Sequence, residues 1–258
     1  MTIMYTKKHT ETKLTKHFSR REAFSREELF AYLRKLDPEL KETTFTWRIF
    51  DLKRRQLIKE VGKGVYSLEQ KRRFKPEADE VMREICSILD NVGNHQGYNI
   101  WSTAWLNEFI ELQATSFLYI LEVDKASVER VFFSLKDSRF FSNLFINPDG
   151  KIIEHYISEL PQSIIVAPMI SRAPIMEVNG MAFPTLEKIL VDLFCDSKLY
   201  FAYQGQQLVK IFEASLSKYE INYSRLFNYA KRRHREDTLK AFLHEHQDLC
   251  KEVPSIIA

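Results

Sequence analysis

Residues 42–68, Glu42 to Leu68, read ETTFTWRIFDLKRRQLIKEVGKGVYSL, and their pattern decides the fold of the first part of the chain. Phe45, Ile49 and Leu52 recur at i, i+4 and i+7, the spacing of a helix with one buried face, with Gln56-Leu57 continuing it. This helix opens near Lys41 or Glu42. Beyond it, Leu57 to Val61 and Val65 to Leu68 alternate apolar with polar residues around Gly62-Lys63-Gly64, the signal of a β-hairpin.

Upstream, SREELFAYLRKLDPEL opens on Ser25 with Glu28 three residues later, a capping box, and carries an apolar stripe of Leu29, Phe30, Leu33 and Leu36. Asp37-Pro38 ends it. An earlier helical segment, roughly Lys7 to Phe18, presents Leu14 and Phe18. Three helices and then a hairpin is the order of a winged helix-turn-helix, in which the last helix enters the major groove and the wing approaches flanking phosphates. On that frame Thr43, Thr44, Thr46 and Arg48 meet the groove, Lys53, Arg54 and Arg55 the DNA backbone, and Lys63 stands at the wing tip. The competing reading of the same charge is a solvated helix face, or a winged helix that docks protein. Trp47 either covers the helix pair as core or reaches the sugar–phosphate edge.

Charge separates this region from the rest. Residues 1–75 hold 20 Lys+Arg against 10 Asp+Glu, a net of +10, whereas residues 76–258 hold 18 against 25, a net of −7. A basic module of that size suits a polyanion such as double-stranded DNA. The expected organisation is therefore a DNA-binding domain at 1–75 and a larger domain at 76–258.

Over 76–258, apolar segments alternate with helical ones. GYNIWST, SFLYILEVD, SNLFIN and QSIIVAP read as strands; ASVERVFFSLKD and PTLEKILVDLFCD read as helices, the second with Leu186, Ile189, Leu190 and Leu193 on one side. Helices dominate after Gln204. The expected class is mixed α/β with a helical C-terminal part.

No defended catalytic centre, metal site or cofactor loop emerges. Cys86, Cys195 and Cys250 are far apart, and no GxGxxG or GxxxxGK occurs among seven glycines. Glu122 and Asp124 lie two apart at a strand end and are expected on one face, as metal carboxylates would be, but the Gly-Ser turn of a nucleotidyltransferase is missing. A metal-dependent enzyme using this pair is the weakest alternative. His234, in the basic run Lys231 to Arg235, reads as part of a solvated face or a phosphate contact; His244 and His246 lack a ligand pattern. The longest apolar runs are too short to span a membrane, and MTIMYTKKHTETK lacks a signal-peptide core, so the expectation is a cytoplasmic protein without a membrane partner.

Two features together carry a resemblance: the wing GKGVY, Gly62–Tyr66, and MEVNGMAFPTLEKILVDLF, Met176–Phe194. The chain resembles the AbiEi-type antitoxins and related winged-helix transcriptional regulators, in which a short strand pair precedes a helix with Glu-Lys and Asp-Leu. Pro184, Thr185, Glu187, Lys188, Leu190, Asp192 and Leu193 match that pattern. The resemblance implies the antitoxin of a type IV toxin–antitoxin system of abortive infection. Such a protein represses its own operon through promoter repeats and counteracts a nucleotidyltransferase-like toxin. The chain departs from it in a long basic segment before Phe24 and in the basic tail FNYAKRRHREDTLKAFL, a second DNA-contacting patch or a docking surface. The alternative is a winged-helix protein-interaction or DNA-processing factor. Within the matched helix, Asp192 reads as a residue that caps or pairs internally.

Overall fold

The computed structural model describes residues 13–246, apart from 15, 19, 20, 22, 55, 56, 69–71, 92, 94–96, 112 and 113. Arg55 and Cys250 thus lie outside the described residues. The chain is a mixed α/β protein that forms two compact units. The first takes the chain up to Arg73, Leu216–Ser224 and the segment from Asp237; the second is Phe74–Ser215 and Arg225–Glu236. The sequence-based cut after residue 75 falls two residues from the first boundary, but it does not capture the two later segments.

In the first unit, Leu14 and Phe18 are helical and buried, and they precede strand β1 (Phe24–Ser25) and helix α1 (Arg26–Leu36). The capping box closes as its chemistry requires. Ser25 Oγ accepts from the Glu28 amide at 3.1 Å, and Glu28 returns a carboxylate oxygen to the Ser25 amide at 2.8 Å. Helix α2 (Glu42–Arg54) buries Phe45, Ile49 and Leu52, the residues its period selects. Strands β2 (Lys59–Gly62) and β3 (Val65–Ser67) form the hairpin, and β1 joins its inner strand to give an antiparallel sheet of order β1-β3-β2. Gly64 turns the hairpin with a φ of +72°, in the left-handed region that side chains other than glycine rarely adopt. One core holds Phe18, Phe24, Leu29, Leu33, Phe45 and Tyr66 together.

The late segments join this unit through backbone pairing. Arg72 forms a parallel bridge with Tyr219, its amide donating to Lys218 O at 3.1 Å and its carbonyl accepting from Glu220 N at 2.9 Å. Helix α9 (Glu236–Glu245) then buries Leu239 and Leu243. Pairing between residues about 150 positions apart leaves no local trace in a charge count.

The second unit begins with helix α3 (Glu80–Asn91), followed by β4 (Tyr98–Ser102), β5 (Phe117–Val123), α4 (Val128–Asp137), β6 (Leu144–Ile146), α5 (Gly150–His155) and β7 (Gln162–Pro168). The sheet order is β4-β5-β7-β6, with β4 antiparallel to β5 and β5, β7 and β6 mutually parallel. Because side chains alternate along β5, Tyr119, Leu121 and Val123 share one face, in a core with Met82, Ile85 and Leu89 of α3 and Val131 and Leu135 of α4. Ile120 and Glu122 point the other way. The hairpin of β8 (Ile175–Val178) and β9 (Met181–Pro184), turning at Asn179-Gly180, leads into helix α6 (Leu186–Cys195). Helix α7 (Gln206–Lys218), whose end belongs to the first unit, and α8 (Tyr223–Arg232) complete the order. Among the described residues no helix is long and apolar enough to cross a membrane.

Candidate functional site

Apart from Arg55, which lies outside the described residues, the residues selected for DNA contact sit on α2 and the hairpin turn. Thr43 and Thr44 are exposed in the first turn of α2. Thr46, also exposed, donates its hydroxyl to Glu42 O at 3.1 Å and accepts from Arg26 Nη2 at 3.3 Å. Arg26 connects several parts. Its backbone amide donates to Gly64 O at 2.8 Å, its guanidinium pairs with Glu42 at 2.5 Å and lies 4.9 Å from the Phe45 ring centroid. A single side chain and its backbone thus tie the hairpin turn to the first turn of α2.

The other end of α2 is tied to the same hairpin through Glu60. That carboxylate pairs with Lys53 and accepts from the Gly64 amide at 3.3 Å, and the Lys53 contact, first among the causes, holds its carboxyl below the usual range. Arg48 pairs with Asp37 at 2.5 Å and Arg54 with Asp51 at 3.0 Å. Lys63 is exposed in the turn itself. Three of the selected cations therefore already face carboxylates. These pairs are solvent-exposed or nearly so, and such pairs contribute only about 0–1 kcal/mol, so exchanging a carboxylate for a phosphate costs little.

Trp47 corrects one expectation. It is not core: it is 72% exposed and meets Phe50, itself 57% exposed, edge to face at 6.0 Å between centroids. The buried positions 45, 49 and 52 leave 47 and 50 on the outer side of a 3.6-residue helix. The sequence holds that signal, since the same period that selects Phe45 and Ile49 excludes Trp47.

Glu122 and Asp124 separate instead of sharing a face. Glu122 is 7% exposed inside the sheet, while Asp124 lies beyond the end of β5, exposed, with its amide donating to Gly97 O at 3.1 Å. Gly97 has a φ of +77°, and a Cβ there would stand 2.5 Å from Asp124 Oδ2, so Asp124 closes a turn against a glycine. The strand ends before Asp124, and the alternation that would have paired the two carboxylates ends with it.

Glu122 instead belongs to a buried ionic network that the sequence does not display. Lys188 on α6 is 0% exposed; it forms an ion pair with Glu122 Oε2 and contacts Asp192 Oδ2 at 2.5 Å. Asp192 also accepts from Tyr229 Oη at 2.9 Å and Arg233 Nη1 at 2.6 Å, and Arg233 Nη2 reaches Asp196 at 2.7 Å. Burial pushes the Glu122 carboxyl up, with Asp192 adding to the rise and Lys188 opposing it. Burial works against the Lys188 ammonium, but Asp192 and Glu122 outweigh it and hold it above its ordinary value. The matched positions Glu187, Lys188 and Asp192 are all buried. Asp192 pairs internally, the hub of this network.

The basic run at residues 231–235 resolves into the same packing. Lys231 and Arg232 occupy the last turn of α8, where cations suit the helix dipole, and Arg232 donates to Ser171 at 2.6 Å. His234 takes a φ of +55° just past the helix, and the Arg235 amide donates back to Ala230 O at 2.9 Å, a C-terminal cap. Beside the network lies a cavity of about 460 Å³ lined by Glu122, Asp192, Asp196, Lys198, Tyr200 and Arg233 among others. Among the described residues no group of three His, Cys, Asp or Glu could hold a metal ion. Residues 44–249 match a family model whose description is a family of unknown function, DUF6577. No curated protein matches the chain.

Proposed function

We propose that this chain, which belongs to the DUF6577 family over residues 44–249, is a DNA-binding transcriptional regulator whose N-terminal unit works as a winged helix-turn-helix. One observation carries the reading: Arg26 joins the hairpin turn at Gly64 to the first turn of α2, so Lys63 and Thr43, Thr44 and Thr46 belong to one rigid edge. In a winged helix the start of the last helix reads bases and the wing grips phosphate, and the net +10 over residues 1–75 supports the same partner.

Fluorescence anisotropy with the chain's own upstream duplex tests it. Phosphate contacts by Lys53, Arg54 and Lys63 correspond to a slope of log K against log salt of about −3, and Lys63→Ala removes roughly one unit of it. Thr43→Ala and Thr44→Ala weaken the upstream duplex more than a scrambled one. Absence of duplex binding at low salt refutes the reading.

A second reading, protein docking through α2, is favoured by the exposed Trp47 and Phe50. It expects Trp47→Ala to leave duplex affinity unchanged. The antitoxin role implied by the AbiEi resemblance draws no support from its matched helix, because Lys188 and Asp192 are buried ion-pair partners and mark the fold. Co-expression with a neighbouring nucleotidyltransferase-like toxin tests that role, and persistent growth arrest removes it.

A further inference from the structure

We infer that the exposed aromatic ridge of α2 reads thymine: Trp47 and Phe50 pack on the 5-methyl groups that T·A pairs display in the major groove. This rests on the DNA-binding reading of α2 and deepens it by naming the base that the helix selects. At about 100° per residue, Thr43, Trp47, Phe50 and Arg54 fall within roughly 60° of one another around the helix. That ridge lies opposite the face that buries Phe45, Ile49 and Leu52, so it is the part of α2 farthest from the core. Trp47 is 72% exposed and Phe50 57%, and the two rings meet edge to face near the middle of the helix. Among the described residues, no other large hydrophobic side chain of the first unit is as exposed.

Two aromatic rings on the ridge select an apolar group on the groove floor. Guanine presents N7 and O6 there, cytosine an amino group, and adenine N7 and an amino group; thymine alone adds a methyl. A ring pressed on the first three strips water from donors or acceptors and returns no hydrogen bond, whereas on a methyl it buries apolar surface. Thr43, exposed in the first turn, extends the ridge with a methyl of its own, which can make the same contact. Charge favours DNA over an apolar protein surface as the occupant. Arg48 and Lys53 stand on opposite flanks of the ridge, Arg54 continues it, and Lys63 is exposed in the hairpin turn. The carboxylates on this side of α2, Glu42 and Asp51, are already held by Arg26 and Arg54. Cations flanking an apolar ridge match the two phosphate rows that border the groove.

Fluorescence anisotropy of the full chain with its own upstream duplex, synthesised with thymine or with uracil, tests this inference. Exchanging thymine for uracil removes the 5-methyl and keeps every hydrogen-bonding group and phosphate. The thymine duplex binds more tightly, roughly fourfold for one contacted methyl and on the order of tenfold for two. Replacing both rings, Trp47→Ala with Phe50→Ala, abolishes the difference and leaves the salt slope at about −3, because the phosphate contacts remain. Both side chains are largely in solvent, so the double variant keeps its fold, which circular dichroism checks. Where it binds too weakly for comparison, Trp47→Ala and Phe50→Ala singly each reduce the preference. Equal affinity of the parent for the two duplexes overturns the thymine reading while DNA binding by α2 stands. A thymine preference that survives the double variant, as it would if the protein sensed duplex stiffness, overturns the assignment to Trp47 and Phe50. Absence of binding to either duplex overturns the DNA-binding reading and this inference with it.

Discussion

Replacing Lys188 with Met keeps the length of the side chain and removes a charge that two buried carboxylates need. Lys188 is 0% exposed, and Glu122 and Asp192 lie against its ammonium. Breaking a buried ion pair by removing one partner costs about 3–5 kcal/mol, because the remaining charge stays desolvated. Asp192 keeps Arg233 and Tyr229, so the loss falls mainly on Glu122. At roughly 2–4 °C per kcal/mol for a chain of this size, the variant melts on the order of 10 °C below the parent at pH 7.5.

The pH dependence supplies a second readout of Lys188→Met. Burial already raises the Glu122 carboxyl, and losing Lys188 raises it further. A carboxyl raised in the folded state binds more protons there than in the unfolded state, so stability falls as pH rises through the window above the ordinary carboxylate value. The deficit of Lys188→Met therefore shrinks between pH 7.5 and pH 5. Adding Glu122→Gln recovers part of it at neutral pH. Urea unfolding followed by circular dichroism measures all three. A loss below about 1 kcal/mol, or a deficit that does not change with pH, refutes the account of a buried charge held by Lys188.

Ser25→Ala removes one half of the capping box at α1 and lowers the stability of the first unit by about 1 kcal/mol, measured by chemical denaturation. Trp47→Ala leaves stability within roughly 0.5 kcal/mol, since the ring is largely in solvent, so any change in duplex binding reports contact and not unfolding. Burial pushes the Cys195 thiol up to about 11, with Arg233 opposing. Alkylation followed by peptide mass spectrometry at pH 7.5 should find Cys195 reacting roughly a hundredfold more slowly than an ordinary thiol, with the rate climbing towards pH 11.

Much of the first unit was legible because its determinants are local. Ser25 and Glu28 lie one helical turn apart, and Phe45, Ile49 and Leu52 mark one face of one helix. Gly62-Lys63-Gly64 marks a turn between two alternating runs, and each of these signals needs only a few neighbouring residues. Strands β4, β5, β6 and β7 and helices α4 and α6 were legible for the same reason, whereas the six-residue helix α5 is too short to show a period. The groups that meet across the chain were not. Neither the Arg72–Tyr219 bridge nor the engagement of Arg48 with Asp37 and Lys53 with Glu60 follows from composition, because a charge count assigns cations to a surface without saying which carboxylate stands opposite.

By itself, then, the sequence determined a capped helix pair followed by a hairpin, an α/β remainder, and a basic beginning joined to an acidic end. Tertiary structure alone decided that Glu122 is buried and Asp124 is not, and that Lys188 on α6 and Arg233 beyond α8 converge on Asp192. Periodicity sorts side chains into inside and outside within one element, but the partner that makes a buried charge tolerable comes from another element. Its identity depends on how the sheet and helices pack, a property no single window of sequence contains.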